Sequence, residues 1–80
     1  MENSPTSGET IRHLRNFKNL NQFYTAKKMG IKQQAYSKLE RKEIITPHKI
    51  AQILNAFGSN LAELEKIKNL YPPPPKFRLI

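Results

Sequence analysis

The chain is divided by helix stop and start signals, and these signals limit what it can fold into. Gly30 stands directly behind Met29, where a C-cap glycine belongs. Thr46-Pro47 sets an N-cap residue before a proline at the first helical position. Gly58 ends the next segment, and Asn60, with Glu63 three residues on, opens another in a capping-box-like pattern. Asn21 is a further N-cap, after a break at Asn19-Leu20-Asn21. Between these marks apolar residues recur at helical spacing. Ile11, Leu14, Phe17 and Leu20 form the first set. Ala26 and Met29, then Tyr36 and Leu39, face inward in the next two short helices, with Ile31 plugging the corner between them. Ile50, Ile53, Leu54 and Phe57 make a fourth set; Leu61, Leu64 and Ile67 make a fifth. No stretch alternates with a period of two and none repeats. The pattern predicts an all-α fold of five short helices.

Residues 1–8 are polar and read as a flexible lead. Residues 9–70 form the domain, and residues 71–80 form a proline-rich tail in which Pro72 to Pro75 favour polyproline II. Phe77, Leu79 and Ile80 are apolar again at its end. Docking back on the domain, contact with a second chain, or a flexible end are all open for it. A chain of 80 residues buries only ~60% of the surface that its unfolded form exposes. A deep catalytic pocket is hard to build at that size, and no paired carboxylates, histidine-containing triad or phosphate loop is present. The reading is therefore not an enzyme, and no cofactor is implied. There is no cysteine, and His13 and His48 are too few to hold a metal, so no metal site is expected. The N-terminus lacks a basic region followed by an apolar run, and no apolar run approaches the ~18 residues of a membrane span. A cytoplasmic protein is expected, with no membrane partner.

Charge narrows the function. Fourteen Lys and Arg against six Asp and Glu give a formal +8. The excess lies in the first half: Arg12, Arg15, Lys18, Lys27, Lys28, Lys32, Lys38, Arg41 and Lys42 face a single acid, Glu40, between residues 11 and 42. Such a field attracts polyanions. Within it lies GIKQQAYSKLER, residues 30–41, where two glutamines open a short helix and only Tyr36 and Leu39 are large and apolar after Ile31. Helix two, a glycine corner and helix three make a helix-turn-helix unit, whose second helix enters the DNA major groove by its N-terminal end. A glutamine amide donates and accepts at once, so Gln33 and Gln34 suit adenine N6 and N7. Ser37 and Lys38 lie one turn on, on or beside the same face.

At these residues the span from Ile11 to Leu64 resembles the Cro and phage-repressor type of helix-turn-helix domain, the XRE family. The resemblance rests on Leu14-Arg15, Leu20-Asn21-Gln22, Ala26, Met29-Gly30-Ile31, Gln33-Gln34, Leu39-Glu40-Arg41 and the run Ile53 to Leu64. It implies a compact five-helix bundle that binds double-stranded DNA as a homodimer on an inverted repeat, most often as a repressor. It implies base-reading roles for Gln33, Gln34 and Lys38, with Ser37 beside them. Phosphate contacts are implied for Gln22, Asn21, Lys32, Arg41 and Lys42, and Arg12 is added from the basic face. Arg15 and Glu40 match a salt bridge that ties helix one to helix three. The chain departs from the family in three places. Lys42 stands where glycine is usual. Thr25 replaces an aliphatic core residue and should loosen helix two. Phe23 and Tyr24 stand where polar residues are usual.

Two other classes stay open beside a transcriptional regulator of the prokaryotic cytosol or nucleoid. A protein-interaction module, such as an antitoxin or adaptor, would use Phe23, Tyr24 and the C-terminal tail. A single-strand or RNA binder would use aromatic platforms among basic residues, but Tyr36 is expected in the core.

Overall fold

A computed structural model describes residues 5–72. Five helices follow one another: α1 Gly8–Phe17, α2 Gln22–Met29, α3 Gln33–Glu40, α4 Pro47–Phe57 and α5 Leu61–Leu70. The punctuation read from the sequence sits where the helices begin and end. Asn21 Oδ1 accepts from the Tyr24 N–H, Thr46 Oγ1 from the Lys49 N–H, and Asn60 Oδ1 from the Glu63 N–H. Each cap satisfies one of the amides that a helix start leaves without a partner. Gly30 and Gly58 close α2 and α4 in the left-handed region, at φ 74° and 68°. A side chain there would be strained, which is why glycine ends both helices.

Packing follows from the apolar stripes. Helices α2 and α3 pack as the helix-turn-helix pair, α1 crosses both α3 and α5, and α4 lies against α2. Ile11, Leu14, Tyr36, Ile53 and Ile67 are wholly buried at the centre, ringed by Ala26, Leu39, Ile45, Ile50, Leu54, Phe57 and Leu64. Leu20, Met29 and Ile31 pack against that cluster from the helix-turn-helix side.

Some sequence expectations differ from the structure. Phe17 and Leu61, placed inward by their spacing, are 52% and 65% exposed. Both stand at helix ends, Phe17 as the last residue of α1 and Leu61 as the first of α5. Helix α1 starts at Gly8, because Ser7 caps it by accepting from the Thr10 N–H at 3.2 Å. Residues 5–8, read as the end of a flexible lead, include a buried Thr6 that pairs with Ile45 in an isolated antiparallel bridge. The Ile45 N–H donates to the Thr6 carbonyl at 2.9 Å, and Ile45, between α3 and α4, is a core residue. Thr25, expected to loosen α2, takes the core position of the aliphatic residue it replaces. It is fully buried, and its hydroxyl donates to the Asn21 carbonyl at 3.1 Å, so its polar atom is satisfied inside the core. Phe77, Leu79, Ile80 and Pro73, Pro74 and Pro75 lie outside the described residues.

Gly8 was the residue least visible from the sequence. Its N–H donates to the Lys42 carbonyl at 2.8 Å, which docks the start of α1 against the exit of α3. A Cβ at this position would collide with the backbone of Leu39 and Glu40. Glycine is needed here for close approach of two backbones.

Candidate nucleic-acid interface

Helix α3 is only eight residues long, and its two faces are chemically distinct. At 100° per residue, Gln33, Gln34, Ser37, Lys38 and Arg41 fall within about 140° of one another. Tyr36, Leu39 and Glu40 occupy the opposite arc and are buried. Gln33, Gln34, Lys38 and Arg41 are exposed, and Ser37 is half-buried. Every residue read as a base reader thus lies on one outward face. Lys32 is the N-cap of α3 but caps nothing with its own side chain, so the first-turn amides of α3 receive no side-chain acceptor from it.

Arg41 Nη1 donates to Ser37 Oγ at 3.0 Å across one turn. That contact lays the guanidinium along the outward face and uses one Ser37 acceptor site. Lys42 follows, exposed, with its carbonyl held by Gly8. The glycine usual after the Glu40-Arg41 pair is dispensable here, because Lys42 does not adopt a positive φ. Arg12 sits apart, on α1, 3.6 Å from Glu9 in an exposed i,i+3 pair. Its charge is partly engaged before any ligand arrives.

Beneath the exposed face lies a hydrogen-bond chain. Arg15 Nε donates to Glu40 Oε2 at 2.6 Å and Arg15 Nη2 donates to Glu40 Oε1 at 3.2 Å. The pair is bidentate, and its side chains are 11% and 5% exposed. Arg15 Nη1 also donates to the Leu20 carbonyl at 2.8 Å, closing the α1–α2 turn where Asn19 adopts φ 59°. Gln22 Nε2 donates to Glu40 Oε1 at 2.9 Å, and Gln33 Nε2 reaches Gln22 Oε1 at a longer 3.5 Å. One line of side chains therefore runs from α1 through the end of α3 and the start of α2 to the first residue of α3.

This chain sets the local electrostatics. Burial alone would raise the Glu40 pKa, but the donors around it, Arg15 before the rest, hold it below the ordinary carboxylate value. Hydrogen bonding to Glu40 raises the Arg15 pKa further. The Tyr36 hydroxyl is buried near the pair without a well-aligned hydrogen bond. Burial, then the adjoining Glu40 carboxylate, pushes its pKa far up. Glu40 is therefore an internally balanced charge and not a repulsive group facing a polyanion.

On α2 the two aromatics are exposed, Phe23 at 62% and Tyr24 at 43%, and Lys28 Nζ lies 5.8 Å from the Tyr24 ring centroid. His13 stacks on Tyr71 with centroids 4.2 Å apart, and His48 is exposed. Sequence reasoning missed three contacts: Gly8 with Lys42, Gln22 with Glu40, and Lys18 with Glu63. The last is an ion pair at 3.1 Å joining α1 to α5. The local pattern carried no signal for the two side-chain contacts, since their partners are distant in the chain.

An eight-residue helix presenting amides and cations, set across a left-handed glycine corner from a second eight-residue helix, is the geometry of a helix-turn-helix. A helix-turn-helix family model matches residues 11–64, well over half of the chain. The chain belongs to the Cro/repressor-type (XRE) helix-turn-helix family. No curated protein and no solved structure matches it. Membership makes residues 11–64 a DNA-binding transcription-regulator domain of a family that is regulatory rather than enzymatic. In XRE terms α2 and α3 are the helix-turn-helix pair, and α1, α4 and α5 build the core that fixes their angle. Among the described residues, no helix is long and apolar enough to cross a membrane.

Proposed function

We propose that the protein is a cytoplasmic, sequence-specific regulator of transcription, a repressor that binds an inverted-repeat operator in duplex DNA as a homodimer. The observation that carries this reading is the outward face of α3, where Gln33, Gln34, Ser37 and Lys38 stand together above a rigid base. Helix α3 lies in the major groove, and its amides and Lys38 contact base edges. Gln22, Asn21, Lys32, Arg41, Lys42 and Arg12 supply phosphate contacts, which set affinity and register but carry no sequence information. Asn21 Oδ1 is committed to its cap, so its contribution comes through its amide nitrogen. Half-sites lie about one helical turn apart, ~10 bp centre to centre.

Selection of bound sequences from a random duplex library at near-physiological salt tests the reading. An inverted repeat is expected, and Gln33→Ala relaxes preference at one base position with little change in the salt slope. Binding that selects nothing and vanishes as salt rises would refute sequence-specific recognition.

A second reading has its own support in the exposure of Phe23 and Tyr24, side by side on α2. They suit a protein partner, as in an antitoxin or adaptor. Binding to such a partner persists at high salt and survives combined Gln33→Ala and Gln34→Ala substitution. The two functions are compatible, because an antitoxin can also repress its own operator.

A further inference from the structure

We propose that the outward face of α2, built from Phe23, Tyr24, Lys27 and Lys28, is a docking surface for an acidic segment of a partner protein that carries a large apolar side chain beside its carboxylates. The inference rests on the second reading above, in which the two aromatics meet a protein, and it names the chemistry of that partner.

The two faces of α2 are cleanly separated. At 100° per residue Phe23, Lys27, Tyr24 and Lys28 fall within about 140° of one another, and all four are exposed. Thr25, Ala26, Met29 and Gln22 fill the opposite arc and are buried or half-buried. A partner on the outward face therefore uses none of the side chains given to bases or phosphates above. Along the helix the face has two halves. Phe23 and Tyr24, 62% and 43% exposed, stand in the first turn. Lys27 and Lys28 stand one turn on, about 6 Å further along the axis, each four residues beyond an aromatic. Lys28 Nζ lies 5.8 Å from the Tyr24 ring centroid, which holds its charge at the border of the apolar half. Aromatic side chains anchor protein interfaces, and charges around them select the partner and speed its approach.

Charge decides the sign of that partner. The chain has no acidic residue between Glu9 and Glu40, and Glu40 is buried in its pair with Arg15. Among the described residues no carboxylate pairs with Lys27 or Lys28. A basic partner is repelled by this face, and a wholly apolar one would dehydrate the two lysines without pairing them. Single-stranded nucleic acid fits less well. The two rings stand about 100° apart around the helix, so they form no common stacking platform, and the Lys28 ammonium already lies over one of them. Phe23 thus supplies affinity that persists at high salt, and the lysines supply selectivity for acid.

The test selects binders to the full chain from a displayed library of random peptides. Enriched peptides are expected to carry Asp or Glu within about one helical turn of Leu, Phe or Trp. A synthetic peptide of that kind, titrated by fluorescence anisotropy, is expected to bind Phe23→Ser on the order of tenfold more weakly. Lys27→Glu combined with Lys28→Glu is expected to lose the peptide too, and to bind the same peptide once its acids are changed to lysine. All the substituted side chains are exposed, so the variants are expected to fold, which circular dichroism checks. Phe23→Ser is expected to keep the parent's preference among duplex sequences. No enrichment, or acidic peptides that bind both variants as they bind the parent, would overturn the proposal. Neutral peptides lost in Phe23→Ser would keep a protein partner but overturn its acidic character. Oligothymidylate bound more tightly than any peptide, and weakened in Phe23→Ser, would make the face a single-strand platform and overturn the proposal as well. A chain that enriches acidic peptides at this face but selects no duplex sequence upholds the proposal and removes only the reading of α3.

Discussion

Arg15→Met removes the cation from the buried pair while keeping most of the side-chain volume and a good helix former. Arg15 and Glu40 are 11% and 5% exposed in their side chains, and the same arginine also satisfies the Leu20 carbonyl. Removing one partner leaves a carboxylate inside the protein with only the neutral donors Gln22 and Tyr36 beside it. Breaking a buried pair in this way costs about 3–5 kcal/mol. Domains are stable by roughly 0.05–0.15 kcal/mol per residue, or about 4–12 kcal/mol for a chain of this length. With a urea slope of about 1 kcal/mol/M, the midpoint moves by ~3–5 M, or the variant is unfolded without denaturant. The pH dependence is diagnostic. In the parent protein the folded pKa of Glu40 lies below its ordinary 4.5. Its stabilisation is therefore complete above 4.5 and is lost as pH falls through the folded value. In the variant burial is no longer outweighed, so the folded pKa rises above the unfolded one. The penalty is then greatest at neutral pH and is relieved as pH falls through the raised value. Between about pH 7 and about pH 5 the parent should hold its stability while the variant gains. Urea unfolding followed by far-ultraviolet circular dichroism measures both slopes. A loss below about 1 kcal/mol, or parallel pH profiles, would refute the claim that this pair is buried and structurally coupled.

Gly8→Ala places a methyl against the backbone of Leu39 and Glu40. Overpacking costs about 1–3 kcal/mol and the helix gain returns roughly 0.5–1, so the Tm should fall by about 4–8 °C; a raised Tm would show that α1 can move away from α3 freely. Gly30→Ala forces a side chain into φ 74° and should cost about 1 kcal/mol in a denaturant titration, although nothing crowds the added methyl. Lys42→Ala should weaken every DNA sequence alike and lower the salt slope by about one; a change confined to one sequence, seen in titrations at several salt concentrations, would make Lys42 a base reader.

Helix limits were legible because their signals are local. Asn21, Gly30, Thr46-Pro47, Gly58 and Asn60 act on backbone groups within four residues, and a cap works the same way wherever its helix sits. The inward face of α3 was legible too, since Tyr36 and Leu39 are the large apolar residues of that helix. Phe17 and Leu61 were not, because periodicity gives a direction but does not say whether another element covers a residue at the end of a helix. Ile45 carried no periodic context at all, and its burial depends on Thr6 arriving from the other end of the domain.

The sequence by itself determined the five helices, their caps, the basic excess of the first half and the amides at the head of α3. Those properties belong to single residues or to one helix. Tertiary structure decided which polar groups meet. Arg15 and Glu40 are 25 positions apart, Gln22 and Glu40 are 18, and Lys18 and Glu63 are 45. Whether such groups touch depends on how closely the helices approach one another, and the residue that permits the closest approach, Gly8, does so by having no side chain.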